Sequence, residues 1–350
     1  MSQAQEVVAR LQAFVAAQEP AMAGAEIIDY DPIPGRYSKV MARFEVDVQG
    51  RRQSFVSRAD APPGQSFFQT DLTAEWQLLS ALTGLGSVPM PAARWFDHDG
   101  SALGSKTVIL DHHAGAKLTS VLSDGGQDHQ QLAGRLAEAA AAVSAVELDA
   151  LPNAMTRPQD WDAWLGGRIE QFRRSEKALR QSDPVIRYVA AWLDAHRPPP
   201  VPLALVHGDL NPTNILVAED GSLSLLDWEF AHIGDPREDL GMLKFGGLFT
   251  PPDLFASAGE HLLGRYRELT GLSEEQLNPS VVAYFAILSS IEPVAGLITQ
   301  LADYVSGATD KVMMAYSSVL ISMVHQAYMG LVAEAAVRLE GRVETGVTQR

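Results

Sequence analysis

The sequence predicts an α+β fold of two lobes, the first β-rich and the second mostly helical. Three observations predict it. Apolar residues between Ile27 and Arg58 alternate with a period of two, the pattern of half-buried strands. Beyond Asp128 they recur three and four apart, the pattern of amphipathic helices. Between these regions a polar, glycine-ended crossing, Asp111-His-His-Ala-Gly115, interrupts both periods. The lobes are therefore expected at 1–110 and 116–350, with 111–115 as a hinge.

Each element has its own signal. Residues 6–18 read as a helix with Val7, Val8, Leu11, Phe14 and Val15 on one stripe, ended by Pro20 and Gly24. Residues 27–30 form a short strand and 33–38 a turn. Residues 40–48 form a strand with Phe44, Val46 and Val48 on one face; Gln49-Gly50 is a hairpin turn, and 53–58 returns. Ala61-Pro-Pro-Gly64 breaks the pattern. Residues 70–82 make a helix with Leu72, Trp76, Leu79 and Leu82 inward and Glu75 at the edge of that face. Strands at 92–96 and 106–110 follow, joined by Asp97-His-Asp-Gly100. Helices are expected at 128–146, 161–180, 184–196 and 256–270 and over much of 280–340, with His196-Arg-Pro-Pro-Pro200 as a hard stop.

Composition narrows the function. The chain has 350 residues, 46% of them hydrophobic, enough for a sizeable core. With 27 Lys and Arg against 43 Asp and Glu, its formal charge is −16, which argues against nucleic acid or an anionic membrane as partner. There are no cysteines, so disulfides, thiolate metal sites and Cys nucleophiles are excluded. The first twenty residues lack the continuous apolar core of a signal peptide, and no apolar run reads as a membrane span, so a cytoplasmic enzyme, monomer or homodimer, is expected.

The chemistry concentrates at 202–241. His207-Gly208-Asp209 precedes Asn214, and Asp227 comes thirteen residues after Asn214. Residues 214–218 and 223–227 read as strands joined at Asp220-Gly221, a strong hairpin signal. A two-residue turn there places Asn214 directly opposite Asp227, with Cβ atoms about 4.5–5.5 Å apart. A carboxylate and an amide oxygen at that spacing suit Mg²⁺. Asp209, beside that pair in an exposed turn, stands where a base receiving a hydroxyl proton belongs. His-x-Asp, then Asn, then a later Asp is the layout of phosphoryl transfer in kinases. Arg58 on a strand and Glu75 on a helix match the ion pair that such enzymes use toward nucleotide phosphates. His112 and His113 point opposite ways on an extended chain and read as linker residues rather than metal ligands.

His207-Gly-Asp-Leu-Asn-Pro-Thr-Asn214-Ile-Leu-Val and Leu226-Asp-Trp-Glu-Phe230 resemble the catalytic core of the aminoglycoside phosphotransferase family, relatives of the protein-kinase fold. Gly234-Asp-Pro and Asp239-Leu240 extend the match, which runs from Pro34 to Asp239. The order Arg58, Ala61-Pro-Pro-Gly64, Glu75, Val88-Pro-Met-Pro91 resembles the branch associated with acyl-CoA dehydrogenases. The resemblance implies a two-lobed protein-kinase-like fold using Mg²⁺ and ATP, with GTP as the alternative donor. It implies that Asp209 is the catalytic base, that Asn214 and Asp227 hold Mg²⁺, and that His207 and Asp239 are structural. It assigns Arg58, Glu75, Gly35, Ser38, Asp111, His113 and Leu216 to the nucleotide. Two features depart from the pattern: Arg58 replaces a lysine, and the loop at Gly35 to Lys39 is poor in glycine.

The expected function is transfer of the ATP γ-phosphate to a hydroxyl of a small molecule. The acceptor pocket is expected after Asp239, with Trp228, Glu229, Glu292 and Tyr304 as candidate contacts. Phe245, Phe249, Phe285, Ile291, Leu297 and Ile298 suggest an apolar lining, hence a hydroxyacyl or lipophilic acceptor. The alternatives are an antibiotic kinase for aminoglycosides or macrolides, an amino-alcohol or choline-type kinase, and a nucleotide-binding pseudokinase scaffold.

Overall fold

Alternating residues become strands in the first third of the chain and periodic ones become helices after it, and the chain divides into two units, Met1–Ala114 and Gly115–Arg350. The structure, a computed structural model, describes residues 3–33, 39–60, 71–126, 128–177, 182–291, 294–298 and 311–347. Gly35, Ser38, Glu292, Tyr304 and the Ala61-to-Gly64 break lie outside the described residues.

The first unit opens with α1 (Gln3–Ala16) and then builds one antiparallel sheet. Its strands are β1 (Glu26–Ile33), β2 (Lys39–Val48), β3 (Arg51–Asp60), β4 (Ala93–Asp97) and β5 (Thr107–Asp111), in the spatial order β1-β2-β3-β5-β4. Gln49 and Gly50 both take positive φ, the two-residue turn whose twist suits a hairpin, and Val48 pairs with Arg51. Phe44, Val46, Val48, Phe55 and Ile109 form a core with Leu11, Phe14 and Val15 of α1. Val7, expected on that stripe, is exposed, because α1 extends a turn beyond the sheet's apolar face.

Helix α2 (Leu72–Leu85) starts at Asp71, whose carboxylate caps Thr73 N–H at 2.8 Å. Its buried face is Leu72, Glu75, Leu78, Leu79 and Leu82. Glu75 is therefore inside rather than at the edge, and Trp76 lies to one side, stacked on Phe96. Arg58, on β3 between Met41 and Val108, explains this: its guanidinium pairs with the Glu75 carboxylate, and both side chains are buried. Removing one partner of such a pair costs about 3–5 kcal/mol, because it leaves a buried charge uncompensated.

In the second unit β6 (Ala116–Lys117) is followed by α3 (Leu118–Ser123), α4 (His129–Ser144), α5 (Trp161–Lys177) and α6 (Pro184–Ala195). Four short strands come next: β7 (Ala204–Val206), β8 (Ile215–Val217), β9 (Leu223–Leu225) and β10 (His232–Gly234). They form two small sheets, β10-β7 and β6-β8-β9. Helices α7 (Arg237–Phe249), α8 (Leu254–Thr270), α9 (Pro279–Ser289) and α10 (Lys311–Val347) complete the unit. Asp183 and Asn278 cap α6 and α9, each with proline at the first position, as helix starts favour.

The main core of this unit gathers apolar side chains from α5, α6, α7, α9 and α10. Phe285, Ile291 and Ile298 are fully buried in it, and Phe245 nearly so. These side chains pack helix on helix, so they supply no acceptor lining and no argument for an apolar substrate. The expectation of no membrane-length apolar run also needs correction. Pro279–Ile298 has mean hydropathy 1.9 and Ser317–Val337 has 1.3, long enough to cross a membrane. Most of the first is buried in the core of the unit, as an apolar helix packed among others is.

Helix α7 crosses α9 at a glycine: a Cβ on Gly241 would lie 2.4 Å from the Phe285 carbonyl carbon. Gly241→Ala is expected to destabilise the protein by about 3 kcal/mol, lowering the melting temperature by roughly 6–12 °C. Calorimetry checks this; an unchanged melting temperature would show that the two helices do not meet there.

Candidate active site

The site grows from the end of β7. His207 follows the strand fully buried, with its ring 4.4 Å from that of Trp228. Burial pushes the imidazole pKa down to about 4, against the pull of the Asp227 charge, so the ring is neutral near neutrality. Its Nδ1 accepts the Asp209 N–H at 3.3 Å, which places the ring proton on Nε2.

The chain turns sharply at Gly208, where φ is +82°. A Cβ there would lie 2.2 Å from the Phe230 carbonyl oxygen, so only glycine fits. One carboxylate fixes both residues of the turn. Asp239, in the first turn of α7, accepts His207 N–H at 2.9 Å and Gly208 N–H at 3.0 Å. Burial raises its pKa to about 7 despite these two donors.

Asp209 follows, half-buried, with each carboxylate oxygen held by an amide. Asn211 Nδ2 donates to one at 2.7 Å and Asn214 Nδ2 to the other at 2.6 Å. Burial pushes its pKa up to about 7; the Asn211 bond opposes this, and the charges of Asp227 and Glu229 add to it. Asn211 is a residue that the sequence reading missed. It also caps the short turn Pro212–Asn214 by accepting Thr213 N–H at 2.9 Å. An Asn before Pro-Thr is a capping signal, and that was the available clue.

The hairpin that carries Asn214 and Asp227 differs from its expected register. Ile215 pairs with Leu225 and Val217 with Leu223, and Leu226 N–H donates to Asn214 O at 2.8 Å. Asn214 therefore faces Leu226, not Asp227. The loop has three residues, Glu219-Asp220-Gly221, with Gly221 in the left-handed region at φ +77°. A one-residue shift on a regular strand would turn Asp227 to the opposite face. Asp227 instead lies beyond the ladder with φ +69°, a left-handed residue that redirects the chain. Its charge is felt at Asp209 and at His207. Leu216, assigned to the nucleotide, is half-buried on β8 and pairs with Lys117 and Ser224.

Trp228 is not available to a substrate. It is buried, it packs on His207, and its Nε1 donates to Leu225 O at 3.2 Å. Glu229, on the same turn, is half-buried. At the end of the first unit the Asp111 carboxylate is gripped by Arg94 at 2.7 and 2.6 Å, and its N–H donates to Ala92 O.

Behind the turn lies a polar network that the motif Gly234-Asp-Pro-Arg-Glu-Asp239 encodes. The Asp235 carboxylate accepts two bonds from the Arg237 guanidinium, at 2.9 and 2.6 Å, one from its backbone N–H at 3.0 Å, and one from Trp161 Nε1 at 2.7 Å. Arg237 is fully buried and also donates to the Pro199 and Gln276 carbonyls. Glu238 meets His232 at 2.8 Å and Arg168 at 3.2 Å. Burial alone would lower the His232 pKa, but Glu238 outweighs it and the net shift is upward. His232 Nδ1 in turn reaches Phe230 O at 2.9 Å, the oxygen that Gly208 packs against.

Residues 33–274 match the model of a family described as the phosphotransferase enzyme family. Solved structures align over nearly the whole chain at low identity. A candidate aminoglycoside phosphotransferase of Ralstonia eutropha JMP134 is 19% identical, with TM-score 0.70 over 93% of this chain and 98% of that one. Choline kinase LicA of Streptococcus pneumoniae is 15% identical, with TM-score 0.58 over 95% and 99%. Macrolide 2'-phosphotransferase MphH of Brachybacterium faecium is 19% identical, with TM-score 0.61 over 89% and 96%. These likenesses establish the protein-kinase-like fold, and the family match, covering more than half of the chain, establishes that this protein belongs to the phosphotransferase enzyme family.

Proposed function

We propose that this chain transfers the γ-phosphoryl group of ATP to a hydroxyl of a small molecule, with Asp209 as the group that orients and deprotonates that hydroxyl. The observation that carries the proposal is the held carboxylate: both oxygens of Asp209 are positioned by neutral amides, and nothing cationic competes with a hydroxyl proton for it among the bonds of the turn. A base of this kind contributes through position first and basicity second.

The donor set nearby fits Mg²⁺. Asn214 spends its amide nitrogen on Asp209, which leaves its oxygen as a ligand, and Asp227 adds a carboxylate. Among the described residues no three His, Cys, Asp or Glu side chains are grouped to hold a metal by themselves. A partial oxygen set is what Mg²⁺ completes with phosphate oxygens and water. When bound, the ion would neutralise phosphate charge. Arg58, fixed by Glu75, is assigned to the nucleotide's phosphates, Asp111 and His113 to its purine edge, and Leu216 to the nucleotide's lower side. For the acceptor, the branch resemblance makes hydroxyacyl compounds the first class to test. Among the described residues Glu229 is the acceptor-side candidate that stands after Trp228 is removed, and Glu292 and Tyr304 stay candidates outside them.

Purified protein supplied with Mg²⁺, ATP and panels of hydroxy acids and their thioesters, amino alcohols, aminoglycosides and macrolides should phosphorylate one class, read as a mass gain on the acceptor. Asp209→Asn should lower kcat on that acceptor by about 10²–10⁴-fold and leave ADP affinity unchanged. Undiminished transfer by Asp209→Asn would sink the assignment.

The pH dependence has a definite sign. The Asp209 carboxyl titrates near its ordinary 3.8 when unfolded and at about 7 when folded. The folded state therefore holds the proton more tightly. The stability this gives is fully present below the unfolded value and is lost as pH rises through about 7. Metal-free wild-type protein should lose denaturant resistance between about pH 5 and about pH 8, and Asp209→Asn should lose clearly less. Equal losses would show that this carboxylate is not strained by burial. Transfer needs the ionised form, so activity should rise through the window in which stability falls.

A further inference from the structure

Helix α10 has two unlike faces. Val324, Tyr328, Leu331, Val332 and Ala335 are buried against the core. On the opposite side, nine of the described residues from Ala315 to Val337 are exposed, and none of the nine is Asp, Glu, Lys or Arg. Val319, Met323, Met329 and Val337 are among them, at 62%, 43%, 47% and 78% exposure. Two ionisable groups beside this stripe among the described side chains are already engaged: Glu334 with Lys244 at 3.0 Å, and His325 with Asp183 at 2.9 Å. In a chain of net charge −16, a neutral strip six turns long is an exception that needs an occupant.

We propose that the occupant is the same strip of a second copy, laid antiparallel across a two-fold axis at Gln326. The exposed positions are symmetric about that residue. Val319 stands as far before Gln326 as Ala333 stands after it, Met323 as far as Met329, Ser322 as far as Gly330, and Ala315 as far as Val337. An antiparallel partner therefore sets a large side chain against a small one at two levels and the two methionines against each other near the centre. The remaining level, Ser322 with Gly330, lets the backbones approach. At the axis Gln326 meets itself, and an amide is its own hydrogen-bond complement. Steps of four and three between the exposed positions are those of helices packed side by side. Parallel pairing would set Val337 on Val337 and leave Gly330 opposite Gly330, a gap.

Charge selects the same occupant. Two copies of so acidic a chain repel unless they meet on an uncharged surface, and this strip supplies one. A membrane surface fits less well. Helices that lie in the interface carry Lys and Arg beside their apolar residues, together with Trp, Phe or Leu, and the exposed strip has none of these. The strip is about 33 Å long and one helix wide, at the low end of interface sizes, so the association should be reversible and concentration-dependent.

The chain's lack of cysteine makes the register testable in the whole protein. Light scattering should show wild-type dimer growing with concentration, and Met323→Glu with Met329→Glu should shift the midpoint at least tenfold upward with an unchanged melting temperature. Gln326→Cys should form a disulfide-linked dimer on mild oxidation, since helices packed side by side bring the two Cα atoms at the axis within about 4–7 Å. Val319→Cys alone should not cross-link, and Val319→Cys combined with Ala333→Cys should. A wild-type monomer at all concentrations, a dimer indifferent to the two glutamates, or cross-linking by Val319→Cys alone would overturn the proposal. So would a monomer that cosediments with neutral phosphatidylcholine vesicles and loses that binding in the glutamate variant.

Discussion

The two hydrogen bonds from His207 and Gly208 to the Asp239 carboxylate are the constraint on which the rest of the site depends. They hold a turn whose residues cannot hold themselves. Gly208 sits in the left-handed region against a carbonyl oxygen, and His207 is neutral and buried. Asp239 is buried too, and burial makes its charge costly; two N–H donors offset part of that cost. The support continues outward through one stretch of sequence. Asp235, Glu238 and Asp239 face three different sets of partners, so three acidic residues within five positions each find a donor of their own. A single turn of α7 thereby ties together β7, β10, α5 and the loop before the catalytic turn.

That rigidity is what a weak base requires. In the proposed role Asp209 works by being in place, and its two amide donors fix its direction without cancelling its charge. The site is strained in its charges rather than its contacts. Burial and then the charges of Asp227 and Glu229 raise the cost of ionising Asp209, and a bound cation would relieve it. Functional sites commonly hold such tension, with the scaffold stable enough to bear it.

The sequence made much of this legible because the motifs report backbone needs. Gly208 reports a positive φ, Asn211-Pro212 a capped turn, and Asp220-Gly221 a reversal of the chain. The alternation of Phe44, Val46 and Val48 gave the sheet, and Asp71 and Asp183 marked helix starts. What was not legible depended on one residue of register or on tertiary neighbours. Glu219-Asp-Gly221 reads equally as a two-residue or three-residue loop, and only the ladder decides. Trp228 and Phe285 look the same in sequence whether they line a pocket or fill a core. Glu75 proved buried because Arg58 reached it from another element. The roles of Arg237 and His232 were not legible: Arg237 also reaches the Pro199 and Gln276 carbonyls, far away along the chain, and His232 meets Glu238 only because the chain folds back between β10 and α7.

The central claim is that Asn214 and Asp227 provide the oxygen set through which phosphoryl transfer from ATP is made possible. Its most direct test is ADP formation by purified wild-type and Asp227→Asn proteins, each with and without Mg²⁺, with circular dichroism confirming that the variant is folded. The account predicts ADP from wild type only when Mg²⁺ is present, and none above background from Asp227→Asn. Equal Mg²⁺-dependent turnover by the folded variant would contradict it.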